Sequence, residues 1–265
     1  MKEASITVII TVWKRGYLDE QLNSLINQTV RPRAIWIIQN ESHINIKPVV
    51  EKYRNTFPGI EVLSSTHNLK YFGRFSLSNL VETEYIFVVD DDVIPSSKWM
   101  EICLDKLNTH NSVISCTGRI VKPFTYRPED MDGEGMRKYF LGDNQSSVTY
   151  NYLSQDSRVD YGCNSYFIRK SWMQYFWATW PATFDSGEDI HLSASLMVAK
   201  GIPTFVPQQL TPETTGNLKR KYSLDCYSSW RENDFLAIRQ TVFEYWINEK
   251  NWEPFLWKEE VALER

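Results

Sequence analysis

Two stretches of this chain, Ile6–Val12 and Tyr85–Val89, are almost wholly apolar and built from β-branched and aromatic residues. A strand with one wet face alternates polar and apolar side chains. A continuous apolar run is what a strand buried on both faces requires, and such burial belongs to parallel sheets covered by helices. The intervening sequence supplies the covering elements. Leu18, Leu22, Leu25 and Ile26 fall at helical spacing within Tyr17–Gln28, Ala34–Ile38 reads as a second strand, and Val49–Phe57 reads as a helix stopped by Pro58-Gly59. A short strand at Glu61–Ser64 and a helical stretch at Phe72–Leu80 follow. Strands alternating with helices imply right-handed crossovers. The expected fold is therefore α/β, with a Rossmann-like, mostly parallel central sheet flanked by helices.

Beyond Asp92 the rhythm changes. The pattern predicts a helix over Trp99–Asn108, a strand over Ser112–Arg119, a long turn-rich segment over Lys122–Ser157 and a strand over Asp160–Arg169. It then predicts a helix over Ile190–Lys200 ended by Gly201, a strand over Ile202–Pro207, and a long helix over Arg231–Lys250. That last helix shows Phe235, Ile238, Val242 and Tyr245 on one face. The expected organisation is a catalytic domain over residues 1–212, with halves at 1–92 and 93–212, and a helical C-terminal extension over 213–265 packed on it.

The charge of −4 excludes a general nucleic-acid binder, so an anionic ligand must be held by local basic groups or a metal. The four cysteines, Cys103, Cys116, Cys163 and Cys226, form no C-x-x-C pair and no cluster with histidine, which argues against a zinc site. The apolar run at Ile6 lacks the preceding charge and following small-residue site of a signal peptide, and no stretch approaches about 18 apolar residues. The expectation is a chain without a transmembrane segment, living in the cytoplasm or at the cytosolic face of a membrane.

The chemistry concentrates in two acidic groups. Asp90-Asp91-Asp92 directly follows the strand Tyr85–Val89, at the sheet edge where open α/β folds bind ligands. Three adjacent carboxylates repel one another unless a cation is present, and Mg²⁺ or Mn²⁺ commonly shares one or two carboxylates with substrate phosphates. An isolated acidic triplet is more often a solvated turn; its position after a buried strand reverses that preference. The second group, Gly187-Glu188-Asp189, opens a helix, where the macrodipole favours ionised carboxylates. Capping is one account of it, and a general base is another.

Taken in order, these segments resemble the GT-A fold glycosyltransferases of the family 2 type. The resemblance is carried by Thr11-Val-Trp-Lys-Arg15, Leu22-Asn-Ser-Leu-Ile-Asn-Gln28 and Ile35-Trp-Ile-Ile-Gln-Asn-Glu-Ser42, then by Asn68 to Arg74 and Glu84-Tyr-Ile-Phe-Val-Val-Asp-Asp-Asp-Val93. It continues in Tyr161-Gly-Cys-Asn-Ser-Tyr-Phe-Ile-Arg169 and Gly187-Glu-Asp-Ile-His-Leu192, and covers about residues 5 to 207. It implies a D-x-D motif in which Asp90 and Asp92 hold Mn²⁺ or Mg²⁺ and the donor's ribose–diphosphate, Asp92 being the favoured direct ligand. Thr11, Val12, Trp13, Arg15, Asn68, Arg74 and Asp91 would line the nucleotide-sugar. Asp189 would be the general base, with Glu188, Gly162 and Trp180 on the acceptor side. The family commonly has an Asp after strand two that reads the base. Here Gln39-Asn40 stands instead, and an amide pairs with uracil through both its donor and its acceptor.

The resemblance thus implies an inverting, divalent-metal-dependent transfer of a sugar from a nucleotide-sugar, UDP-linked, to a glycan or other hydroxyl acceptor. Other readings stay open on the residues alone. They are a retaining enzyme of the same fold, a non-catalytic carbohydrate-binding module, and a sugar nucleotidyltransferase, which would want more glycine than Thr11-Val-Trp-Lys-Arg-Gly16 supplies.

Overall fold

The computed structural model describes residues 2–120, 140–141, 153, 155–218 and 225–254. Most of the predicted turn-rich segment and the basic Lys219-Arg220-Lys221 run lie outside them. The chain begins with strand β1 (Lys2–Val12), helix α1 (Leu18–Ile26), strand β2 (Val30–Asn40), helix α2 (Lys47–Arg54) and strand β3 (Ile60–Ser65). A short helix α3 (Gly73–Leu77) and a single 3₁₀ turn lead into strand β4 (Tyr85–Val89) and helix α4 (Trp99–His110). β1 pairs in parallel with both β2 and β4, and β2 with β3, as the largely apolar runs suggest. Every residue of β4 is buried. The main core cluster runs from Ile6 through Phe87 to Leu196, with α1, α3 and α4 packed on the strands.

The second half departs from the predicted strands. The stretch read as one strand from Ser112 is divided into β5 (Val113–Ile114) and β6 (Thr117–Arg119). After β7 (Phe140–Leu141) and β8 (Ser157–Val159), the stretch from Asp160 is likewise divided into β9 (Tyr161–Cys163) and β10 (Ser165–Arg169). β5 and β10 belong to an eight-stranded sheet of order β3-β2-β1-β4-β10-β5-β11-β8, and β6 and β9 to a three-stranded sheet of order β7-β6-β9. The hinge is Asn164, whose φ of 70° lies in the left-handed region that Asn tolerates better than most residues. Ser115 secures the crossing by donating to the carbonyl oxygens of Cys163 and Ser165, at 2.8 and 2.7 Å. Local periodicity carries no sign of a strand that changes sheets halfway along.

Helix α5 (Met173–Phe176), helix α6 (Glu188–Lys200) and strand β11 (Thr204–Val206) complete the sheet region. The last helix, α7 (Phe235–Glu244), runs into a π-helical turn over Tyr245–Glu249, so the single helix expected from Arg231 is shorter at its start and irregular at its end. Val242, Phe243, Trp246 and Trp252 bury themselves against Tyr161, Ile190 and Ala194, which seats α7 on α6 and β9. His191 of α6 packs edge-on to Trp246, its ring centroid 5.1 Å away, and burial lowers its pKa to about 4, so it serves there as a neutral core group. Among the described residues no helix is long and apolar enough to cross a membrane.

Candidate active site

Parallel pairing brings the C-terminal ends of β1, β2 and β4 to one edge of the sheet, where Val12 stands opposite Gln39. Asp90, Asp91 and Asp92 follow β4 directly at that edge. Their turn is fixed from below by Gln21 of α1, whose side-chain amide donates to the carbonyl oxygens of Asp90 (2.8 Å) and Val93 (2.9 Å). The amide N–H of Asp90 donates to the carbonyl oxygen of Asn164 at 3.0 Å, so the residue at which the chain changes sheets also anchors the triplet.

The Glu188-Asp189 pair arrives from the other half of the molecule at the N-terminus of α6. Gly187, which caps this helix, has φ 83°, and a Cβ there would lie 2.9 Å from Val242 Cγ2 of α7. Glycine is required on both counts, the left-handed backbone and the close approach. The two acidic groups meet through Arg74 of α3, a buried side chain. Its Nη1 pairs closely with Asp90 Oδ1 while its Nη2 donates to Glu188 Oε1 at 2.8 Å. One guanidinium therefore ties the carboxylate after β4 to the first residue of α6.

Burial governs the electrostatics. It raises the pKa of Asp90 to about 6 against the pull of Arg74, with repulsion from Asp92 adding to it. It raises Asp91 to about 7 despite Arg15, and Glu188 to about 7, where Asp189 is the next cause. Asp90 still keeps 26% of its side chain open to solvent, enough for a ligand to reach it. The triplet is thus a set of hard oxygen donors that are desolvated and mutually repelling, which fits a divalent cation completed by phosphate oxygens. Among the described residues no group of three or more His, Cys, Asp or Glu forms a protein-only metal cage. Asp92 and Asp90 are the residues that could hold such an ion.

Arg15 is the second cation of the site. Its Nη1 lies 2.5 Å from Asp91 Oδ1 and its Nη2 3.9 Å from Asp92 Oδ2. The other edge of the guanidinium forks onto Asp225, at 2.7 and 2.8 Å. Trp13 donates from Nε1 to Glu41 Oε2 at 2.7 Å, and Lys14 Nζ lies 4.0 Å from the centroid of its ring. Tyr227 stands edge-on to the same ring at 6.4 Å. Gln39 donates to the carbonyl oxygen of Ile44 at 2.7 Å, and Asn40 Oδ1 accepts from the Leu69 amide at 3.3 Å, so both help to hold the loops at the strand ends. Thr11 and Val12 end β1 beside them, and Trp13 follows directly.

The remaining expected residues are more dispersed. Asn68 is exposed and accepts from the Lys70 amide at 2.8 Å in a local turn. Gly162 is buried in β9 against Ser115, and its amide donates to Ser193 Oγ at 3.3 Å, so it has a packing role in the small sheet. Of Trp172, Trp177 and Trp180, which precede α6, Trp172 is buried, Trp177 is half-buried against the core, and Trp180 is 71% exposed, edge-on to Phe184 at 5.3 Å.

Two site residues carried no motif. Arg239 of α7 grips both oxygens of Asp189, each at 2.9 Å, and Asp225 grips Arg15. The one signal for Arg239 in the sequence is a charge in the middle of the Phe235–Val242 apolar face.

A mostly parallel sheet with two acidic groups bridged at its carboxyl edge puts the acidic site where open α/β folds bind their ligands. The family model of glycosyl transferase family 2 matches residues 7–176, and the chain belongs to that family. No curated protein matches it. Among solved structures it is similar to S. aureus TarS, with 19% identity, a TM-score of 0.52, and coverage of 79% of this chain and 37% of that one. A structure of TarS 1–349 in complex with UDP-GlcNAc is also similar, at 19% identity and a TM-score of 0.48, covering 80% of this chain and 59% of that one. This chain therefore spans less than two thirds of the length of these TarS chains.

Proposed function

We propose that this domain is an inverting glycosyltransferase that moves a sugar from a nucleotide-sugar to a hydroxyl acceptor, with Asp189 as the general base. The observation that carries this reading is the Arg74 bridge, which ties the carboxylate that would meet the donor diphosphate to the helix that bears the base. Asp92, with Asp90, would hold Mn²⁺ or Mg²⁺, and that ion would supply charge neutralisation for the leaving diphosphate. Arg15 lies against the same carboxylates and would add its positive charge there. Trp13 offers an aromatic surface at the end of β1, and the side-chain NH₂ of Asn40, free of hydrogen bonds among the described residues, would donate to a uracil carbonyl; these support a UDP-linked donor. Trp180 and Glu188 would make up the acceptor side, whereas Gly162 is enclosed by Ser115 and Ser193 in the small sheet. Asp189 takes the proton of the acceptor hydroxyl, whose oxygen attacks the anomeric carbon from the face opposite the departing phosphate, inverting it.

The stereochemistry is testable without knowing the acceptor. With water in place of the acceptor, the proposed inversion means that incubation with an α-linked UDP-sugar and Mn²⁺ should release free sugar that is first the β anomer. Proton NMR within the time of mutarotation reads this directly. Release of the α anomer would establish retention and overturn the reading.

A further inference from the structure

We infer that Arg239 is the positioning residue of the base, and that Asp189 Oδ2, which lacks the backbone donor that Oδ1 has, is the oxygen that receives the acceptor's proton. This rests on the reading of Asp189 as the base. Helix α7 lies beyond the residues matched by the family model, so this contact comes from the chain's own C-terminal segment. The pairing is a two-point fork: Nη1 donates to Oδ1 and Nη2 to Oδ2, both at 2.9 Å. Such a fork fixes the plane of a carboxylate as well as its charge. The guanidinium is itself held in place, lying 5.4 Å from the ring centroid of Tyr161 on β9 and 5.2 Å from that of Phe235 on α7. Arg239 is only 5% exposed and Asp189 only 6%.

The two oxygens are not equivalent. Oδ1 accepts from Arg239 and also from the amide of Ile190, at 2.8 Å. Oδ2 accepts from Arg239 and, among the described residues, otherwise meets only the Cys163 thiol at 4.0 Å, a distant and weak donor. Oδ2 therefore keeps a lone pair for an incoming proton. The charged and titratable groups around the carboxylate are Glu188 beside it on α6, Cys163 of β9, Tyr166 of β10, Asp90 after β4 and Arg239 of α7. In the reaction the acceptor O–H bond breaks and its proton goes to Oδ2. The hydroxyl oxygen forms a bond to the anomeric carbon, and the nucleoside diphosphate leaves with the electron pair of the old bond. Asp189 then returns the proton to water.

The test compares Arg239→Lys, Arg239→Ala and Asp189→Asn in steady-state turnover of a UDP-sugar, with melting temperatures recorded for each. Lysine keeps the charge and the fold but cannot make the two-point fork, so kcat should fall on the order of 10²-fold through misplacement of the base. The donor KM should stay within about twofold, as expected for an interaction that acts only in the chemical step. Arg239→Ala should recover turnover with added guanidinium and not with ammonium at equal ionic strength. A lysine variant with unchanged kcat would overturn the inference. So would losses of kcat that simply track melting temperature and show no guanidinium rescue, which would make Arg239 an anchor for α7 only. Undiminished turnover in Asp189→Asn is a separate outcome that removes the base reading itself.

Discussion

Asp189→Asn is expected to lower kcat by about 10²–10⁴-fold, the range a positioned general base contributes, while donor affinity stays near that of the unaltered protein. The amide fills the same space and still accepts from the Ile190 amide through its oxygen. It cannot take a proton at neutral pH. Its NH₂ would also face Arg239, donor against donor, where the carboxylate now accepts at both oxygens. Some stability is therefore lost with the charge, and the kinetics belong well below the melting temperature of the variant. On the proposed reading donor binding rests on groups at the ends of β1 and β4, so it should persist. Turnover within a few-fold of the unaltered protein would leave the domain without its base.

Arg74→Ala is expected to be the most destabilising single change in the site, costing about 3–5 kcal/mol. Arg74 is 4% exposed, and its removal leaves Asp90 and Glu188 with no shared counter-charge. For a chain of this size that loss corresponds to a fall in melting temperature on the order of 10 °C. The deficit should also depend on pH. Burial already holds Glu188 at about 7, above the ordinary glutamate value, so the folded chain carries a proton there that the unfolded chain has released. A raised carboxylate pKa favours the fold at low pH and is lost as pH rises through it. Without Arg74 that pKa rises further, so the variant should lose more at pH 8 than at pH 5.5. Arg74→Lys, which can reach one partner but not fork across both, should fall between the two. Thermal melts at the two pH values decide this, and an Arg74→Ala variant within about 1 kcal/mol of the unaltered protein, well short of the loss expected for breaking a buried pair, would contradict it.

Much of the first half was legible because its signals are local. Largely apolar, β-branched runs at Ile6 and Tyr85 announced buried parallel strands, and the acidic triplet followed the second of them at the carboxyl edge of the sheet. Gly187 announced the start of α6, although its need for glycine comes from Val242, a residue far along the chain. Illegible were the features that depend on long-range geometry. The strand pattern from Tyr161 to Arg169 hides the change of sheet at Asn164, because each half on its own is a good strand. Asp225 reaches Arg15 across 210 positions, and no local pattern marks such a pair. Arg239 was nearer to being visible. It falls four residues after Phe235 and three before Val242, on the face expected to be apolar, and a charge in the centre of a buried stripe calls for a buried partner. That partner is Asp189.

The central claim is that the carboxylates after β4 form a metal-dependent nucleotide site. Melting of the protein against UDP, GDP, CDP and dTDP, each with and without Mn²⁺, tests it most directly. A nucleotide present at about 100 times its dissociation constant adds about 2.7 kcal/mol of stability, which a melting curve resolves easily. The expected result is stabilisation by UDP that requires Mn²⁺, with little response to the other bases. No stabilisation by any nucleotide in the presence of Mn²⁺ would make Asp90–Asp92 an acidic turn and contradict the account.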